Sequence, residues 1–447
     1  MSVTLSPSQE TTVEEFRLFL NDPDQSEFLI SGFAGSGKSF LVEYLVAVVE
    51  REFKVARVID PTATMKTFFF TATTNKAANV LMGMLNKSTS TIHRLLGLAV
   101  QVNYKTGKVS LIKQNQPKDL SYSVVFIDEA SMITRDLLKH IQDAGRRFTE
   151  CKLVYIGDSY QLPPVKENMC PIFQTDIPKH FLTEIQRQVA GSPIIQLSTQ
   201  YRKMLDDHTL DWPVIIPDNH TVFHYTDNQD WFDIIKQSFM PTHDPDDVKV
   251  LAWTNDRVRE YNTWIRSFKG QTGDYALDEI VQTNKPIIRN DKVLAPTDST
   301  HRIYSIREIQ IDDVDGYHIG LRNLQTGGAQ MAFQPKNWKD ANLVASGYAK
   351  NKNWKAFYQI KNEWIDLRAV HAQTVHKSQG STYRDVFIDL TNIGKNNKWQ
   401  DVVRLVYVAI TRASHQVHIF GNLSNRYNKK AIVNHMEVFR NAANNRI

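Results

Sequence analysis

The first third of the chain alternates short unbroken apolar runs with longer stretches whose apolar residues recur every three or four positions. Glu27–Ser31 and Thr67–Ala72 predict strands. Lys38 to Glu50 predicts a helix with Phe40, Leu41, Tyr44, Leu45 and Val48 on one face, and Asn75 to Leu85 predicts a second helix. Val124–Ile127 and Leu153–Ile156 are further apolar runs, each followed closely by acidic residues. Continuous apolar strands separated by helices imply an α/β fold, with a parallel sheet covered on both faces.

Leu98 to Lys113 breaks this alternation. Two β-like runs flank Lys105-Thr106-Gly107, which is a hairpin signal. A second α/β stretch begins near Phe181 and includes Val248–Trp253 and a helix over Asp256 to Phe268. From about Gly270 to Asp366, short β-like runs alternate with turns such as Asp315-Gly316 and Thr326-Gly327-Gly328. Ala369 to Phe420 returns to α/β texture. The expected organisation is a first domain over 1–180 with a hairpin insertion at about 98–115. A second domain is split into 181–269 and 367–447 by a small β domain over 270–366.

Composition narrows the class. Of 447 residues, 42% are apolar and 23% charged, as in an ordinary globular protein, which excludes wholesale disorder. Two cysteines, Cys151 and Cys170, exclude a disulfide framework or a Cys-rich zinc site. They fit a reducing compartment, the cytoplasm of a cell or of an infected host. No apolar run approaches the roughly 18–20 residues that cross a bilayer. The start, MSVTLSPSQE, has neither the basic nor the apolar region of a signal peptide. The net charge of +5 is a mild indication of a polyanionic partner.

The candidate chemistry is more specific. Gly32-Phe33-Ala34-Gly35-Ser36-Gly37-Lys38-Ser39 fits the P-loop pattern and lies between a predicted strand and a predicted helix. Its glycines let backbone N–H groups turn onto phosphate oxygens, and the helix N-terminus adds its dipole. Lys38 would pair with the β- and γ-phosphates of ATP and Ser39 would ligate Mg²⁺. Asp128 and Glu129 close an apolar strand, where a P-loop enzyme needs a carboxylate for the metal and a general base for water. Gln161, after Gly157-Asp158, could sense the γ-phosphate. Arg187 and Arg412 could bring positive charge to the transferred phosphoryl group.

In order, the segments GFAGSGKS, TATTNKAA, STIHRLLG, VVFIDEAS, YIGDSYQLPPV, LTEIQRQ, VLAWTNDRVREYN, AQTVHKSQGSTY and RLVYVAITRAS form a series. It resembles the motif series of superfamily 1 helicases, in the RecD/Pif1-like class B branch, and the likeness extends to phage-encoded members. The match covers roughly residues 5–203 and 248–420. The resemblance implies two RecA-like domains, a pin at the hairpin that splits the duplex, and an SH3-like inserted β domain. It implies an ATP- and Mg²⁺-dependent DNA helicase moving 5′→3′ on single-stranded DNA, acting at single-strand/duplex junctions in phage replication or recombination. A monomer is expected, with a single-strand-binding or replication protein as a further partner.

Residue by residue, the resemblance makes Gln9 the reader of adenine and places Lys38, Ser39, Asp128, Glu129 and Gln161 in the ATP site. Gly32, Ala34, Gly35, Ser36 and Gly37 form the phosphate cradle. Arg187 and Arg412 become the two arginines of the cleft, and Gln379 and Gly380 lie near both nucleotide and nucleic acid. Candidate strand contacts are Thr74, Asn75, Thr91, His93, Thr254, Asn255, Thr374 and His376, small polar groups suited to phosphates rather than bases. Tyr104, beside the hairpin turn, is a candidate for stacking on the first base pair. Thr73 stands where the family has a proline. Two other readings are carried: a viral RNA helicase of the same superfamily, and an ATP-switched nucleic-acid clamp without unwinding.

Overall fold

The computed structural model describes residues 5–62, 64–103, 108–164, 167–184, 192–240, 244, 247–289, 292–314, 317–326, 330–335, 337–358, 360 and 366–427. The chain opens with α1 (Pro7–Asn21), started by a capping box in which Ser6 and Gln9 satisfy each other's backbone N–H. Next come β1 (Glu27–Gly32), α2 (Lys38–Ile59), β2 (Thr67–Ala72), α3 (Asn75–Leu85), β3 (Thr89–Thr91) and α4 (Ile92–Leu95). The antiparallel ribbon β4 (Leu98–Asn103) and β5 (Lys108–Lys113) follows, then β6 (Ser123–Asp128), α5 (Arg135–Arg147), β7 (Cys151–Gly157) and β8 (Lys179–Leu182).

Six of these strands form one parallel sheet in the order β3-β2-β6-β7-β1-β8. Its central strands β1, β6 and β7 are buried at nearly every position because both faces are covered. Phe28, Ile30, Phe126 and Val154 face α1 and α2, with Phe16 and Phe19 packed on Phe28. Leu29, Val125, Ile127 and Tyr155 face α5 through Leu137 and Ile141. Each such side chain contributes roughly 1.5–3 kcal/mol by leaving water.

The second half begins with α6 (Pro193–Asp206), β9 (Val222–Tyr225), α7 (Asn228–Phe239), β10 (Val248–Ala252) and α8 (Asn255–Phe268). The insertion contributes β11 (Ile280–Thr283), the ribbon β12 (Ile287–Arg289) and β13 (Lys292–Ala295), β14 (Thr300–Val314), β15 (Tyr317–Thr326) and β16 (Gln330–Pro335). It continues with α9 (Trp338–Lys350), α10 (Trp354–Tyr358) and β17 (Leu367–Ala369). The chain returns through β18 (Ala372–Thr374), α11 (Val375–Ser378), β19 (Tyr383–Asp389), α12 (Leu390–Ile393), α13 (Trp399–Thr411) and β20 (Ala413–Phe420). A second parallel sheet has the order β18-β10-β19-β20-β9, and the inserted antiparallel sheet has the order β16-β15-β14-β11-β17.

Four expectations change. Residues around Phe181 do not open the second unit: β8 pairs in parallel with β1, with Gly32 opposite Leu182, and is the edge strand of the first sheet. Helix α2 runs nine residues past Glu50, through a helix-favouring stretch, until Asp60, ahead of Pro61, turns extended (φ −127°, ψ 100°). Phe40 leaves the predicted buried face and is 38% exposed, while Val42 and Val46 are buried instead. The insertion is not only short β-runs, since β14 has 15 residues and α9 has 13. Gly316, Gly327 and Gly328 lie outside the described residues.

Candidate functional site

A cavity of about 340 Å³ lies between the two parallel sheets. From the first sheet it receives the 32–39 loop, which joins β1 to α2. Gly35 and Gly37 take φ of +82° and +80°, the left-handed turns that aim successive N–H groups inward. A Cβ on Gly32 would lie 2.6 Å from Ser36 Oγ and 2.9 Å from Leu182 Cβ, so the cradle requires glycine there. Ala34, Gly35, Gly37, Lys38 and Ser39 line the cavity, whereas the buried Ser36 hydroxyl turns back toward Gly32. The Lys38 amine donates to the carbonyls of Gly32 and Phe33, both at 2.8 Å. Burial lowers its pKa, and Asp158, Glu129 and Asp128 oppose that shift.

Asp128 ends β6 and accepts from the Glu129 N–H at 2.8 Å. Glu129 follows in the left-handed region, φ +53°, which turns its side chain off the strand into the cavity. Burial raises both carboxyl pKa values. Glu129 is pushed up to about 7 by burial first and by Asp128 second, with Arg412 and Lys38 pulling it back. The donor set fits a nucleotide phosphate with its magnesium: an ammonium, a hydroxyl, two carboxylates and a buried Ser381 hydroxyl without a hydrogen-bond partner among the described residues.

The second sheet closes the other side. Arg412, at the end of α13, lines the cavity and is 5% exposed. Its guanidinium donates to the carbonyls of Val408 and Ser381 at 3.3 and 3.2 Å. Gly380 also lines the cavity, at φ +73° and close to Ala77 and Glu129. Gln161 and Gln379 meet across the cleft: Gln379 Nε2 donates to Gln161 Oε1 at 3.4 Å and to the Leu162 carbonyl at 3.2 Å. Gln9 is not brought to the cavity. Its amide accepts from Ser6 N–H and donates to the Ser36 carbonyl, which braces α1 against the loop. Arg187 and Tyr104 lie outside the described residues.

The candidate strand contacts form a repeated arrangement. Thr74, Thr91, Thr254 and Thr374 each cap a helix, accepting from the N–H three residues on. They stand at the C-terminal ends of β2, β3, β10 and β18. In the first sheet Ala72 lies opposite Thr91, and in the second Ala252 lies opposite Thr374. The sequences match as well: Thr74-Asn75 with Thr254-Asn255, and Thr91-Ile92-His93 with Thr374-Val375-His376. Burial lowers the pKa of both histidines, which favours neutral rings. Asn75 also lines a groove of about 450 Å³ shared with Gln373 and the 296–300 loop of the insertion. Thr73, the departure from the family pattern, donates to the Glu129 carbonyl at 3.4 Å.

A family model described as an AAA domain matches residues 4–212, and one described as a UvrD-like helicase C-terminal domain matches residues 369–420. The ATP-dependent DNA helicase dda of Enterobacteria phage T4 is 26% identical, covering 87% of this chain and 93% of its own. The ATP-dependent DNA helicase Pif1 of Bdellovibrio bacteriovorus is 23% identical over 94% of this chain and 88% of its own. Over most of its length the chain is similar to RecD/Pif1-like helicases of superfamily 1. An uncharacterised protein R530 of Acanthamoeba polyphaga mimivirus is 23% identical over 92% of this RecD/Pif1-like chain and 98% of its own. A Pif1 helicase solved in a study of forked DNA unwinding by two coordinating Pif1 helicases shares the fold. Its TM-score is 0.51 at 14% identity, covering 99% of this chain and 98% of that one.

Sequence reasoning passed over part of this RecD/Pif1-like site. Arg404 and Tyr407 on α13 both reach across to the turn after β7. Their signal was present: with Thr411 they fall at i, i+3 and i+7 on the helix that ends at Arg412. The apolar rim formed by Phe40, Val80 and Met84 had no comparable signal.

Proposed function

We propose that this protein is an ATP-dependent DNA helicase that moves 5′→3′ along single-stranded DNA and opens duplexes ahead of it. The observation that carries the reading is the pair of register-matched, threonine-capped strand edges on two parallel sheets, with one cavity, lined by the 32–39 loop, between the sheets. Two equivalent grips on either side of a closable cleft are what directional movement requires. The polarity and the phage setting come from the family resemblance.

In this reading the N–H groups of the 32–39 loop and Lys38 hold the ATP phosphates. Ser39 and Asp128 would hold Mg²⁺, which neutralises phosphate charge when bound. Glu129 takes a proton from the attacking water, and a pKa near 7 suits a general base at neutral pH. Arg412 approaches from the second sheet and favours the closed cleft while the γ-phosphate is present. Closing and reopening then moves one grip relative to the other. The strand lies across the four capped helix starts, held by phosphates, so binding is salt-sensitive and nearly independent of sequence. The β4–β5 ribbon acts as the pin, and the inserted sheet closes over the strand.

The test is unwinding with Mg²⁺ and ATP of two matched DNA duplexes, one with a 5′ tail and one with a 3′ tail, beside Lys38→Ala. Opening of only the 5′-tailed duplex, lost in the variant, is expected. Preference for the 3′ tail overturns the polarity. Strand-stimulated ATP turnover without opening of either duplex overturns the DNA helicase reading in favour of an RNA substrate or a clamp.

A further inference from the structure

Two side chains of α13 join the sheets through direct hydrogen bonds, independently of Arg412. Tyr407 and Asp158 are each 1% exposed. The Tyr407 hydroxyl donates to Asp158 Oδ2 at 2.7 Å and accepts from the Ala34 N–H of the phosphate loop at 3.4 Å. One turn earlier, Arg404 Nη1 donates to the carbonyls of Ser159 and Gln161 at 2.8 and 3.0 Å. The turn they hold is itself closed, because the Asp158 carbonyl accepts from the Gln161 N–H at 3.2 Å. Gln161 presents its side chain to the cavity. On its apolar side α13 shares one core with Leu162 of that turn and with Val375 of α11. Helix α11 starts at the strand edge Thr374–His376.

We propose that Tyr407, assisted by Arg404, is a positioning residue that fixes the 158–162 turn to α13. A change at the γ-phosphate end of the cavity is thereby transmitted to the Thr374–His376 strand edge, and the converse. The inference rests on the ATP-driven reading above. Its physical basis is that the Asp158 carboxylate is buried, so losing the tyrosine hydroxyl carries a desolvation cost and the pair moves together or breaks at a large cost. The Ala34 N–H belongs to the loop that tightens on phosphate, so loop, turn and α13 share one hydroxyl. Packing alone would attach α13 to the turn without linking either to the phosphate loop.

Tyr407→Phe keeps the ring and removes only the hydroxyl. The readout is the ratio of ATP turnover with saturating oligo-dT to turnover without it, in the full-length protein. Loss of a hydrogen bond to a charged partner predicts a fall in that ratio of about tenfold or more. A merely structural role would lower thermal stability and both rates together and leave the ratio unchanged. Asp158→Asn and the double variant complete a cycle. If the two act as one unit, the double loses no more than the worse single. A ratio within about twofold of the parent in Tyr407→Phe overturns the inference alone, as do single losses that multiply in the double. A parent with no strand-stimulated turnover overturns the functional reading as well.

Discussion

Gly380→Ala separates two costs that the structure places on one residue. Gly380 has φ +73°, and a Cβ built there lies 3.0 Å from the Ala77 Cβ and 3.7 Å from the Glu129 Cγ. The left-handed backbone costs an L-residue about 1–2 kcal/mol, whether the cleft is open or closed. At roughly 2–4 °C per kcal/mol for domains of this size, the thermal midpoint should fall by about 2–8 °C. The contact with Ala77 is different in kind, because it exists only when the two sheets approach. A methyl pair at 3.0 Å sits about 0.5–1 Å inside its optimal separation, and overpacking of this sort costs roughly 1–3 kcal/mol. That cost opposes closure, so ATP turnover should drop by about 5- to 160-fold. Adding Ala77→Gly removes the opposing methyl but weakens α3 by about 1 kcal/mol. The double variant should therefore recover turnover while its midpoint falls further. A double variant as slow as the single would refute the steric argument, and an unchanged midpoint in Gly380→Ala would refute the backbone argument.

Glu129→Gln should lower turnover by about 10²–10⁴-fold, the usual weight of a general base, while a fluorescent ATP analogue still binds; loss of binding would give Glu129 a structural role instead. Asp389 is fully buried and accepts from Arg257 Nε at 2.7 Å, Tyr261 at 2.9 Å and Asn392 N–H at 3.0 Å. Asp389→Ala leaves the guanidinium on Glu260 at 2.9 Å but takes the acceptor from Tyr261 and the Asn392 N–H, and should cost about 1–3 kcal/mol in urea unfolding. It should also weaken oligo-dT binding, because Asn392 holds the N–H groups of Trp253 and Thr254. His418 is stacked between Phe223 and Phe387, and burial pushes its pKa down to about 4. The folded state thus keeps it neutral while the unfolded chain takes up a proton below about pH 6.5. Its stabilisation is complete above that pH and is lost as pH falls toward 4, by about 1–2 kcal/mol between pH 6.5 and 5. His418→Phe should flatten that part of the urea-midpoint profile, and an unchanged slope would exclude His418 as its source.

Legibility in the sequence tracked how local each cause is. The 32–39 loop, the ends of β2 and β10 and the helices that follow them were readable because glycines, caps and periodicity act within a few residues. Helix α9 was not read, because the turn-rich sequence around it set the expectation for the whole insertion. The placement of β8 depended on which strand it pairs with, and short apolar runs carry no information on partners. Gln9 illustrates the same limit: its position ahead of the loop was evident, but its amide is engaged by Ser6 and Ser36.

By itself, the sequence determined the α/β alternation, the phosphate loop, the carboxylates at the end of β6 and the ordered segments that mark the RecD/Pif1-like branch. Each depends on residue type at fixed spacing, which chain geometry converts directly into local structure. The tertiary structure decided which residues meet across the cleft. Gln161 with Gln379, Tyr407 with Asp158 and Gly380 with Ala77 are separated by more than 200 residues in the chain. Their pairing follows from the packing of two sheets, as does the matched register of Ala72 with Thr91 and of Ala252 with Thr374. No local rule encodes such contacts, because they exist only after both cores have formed.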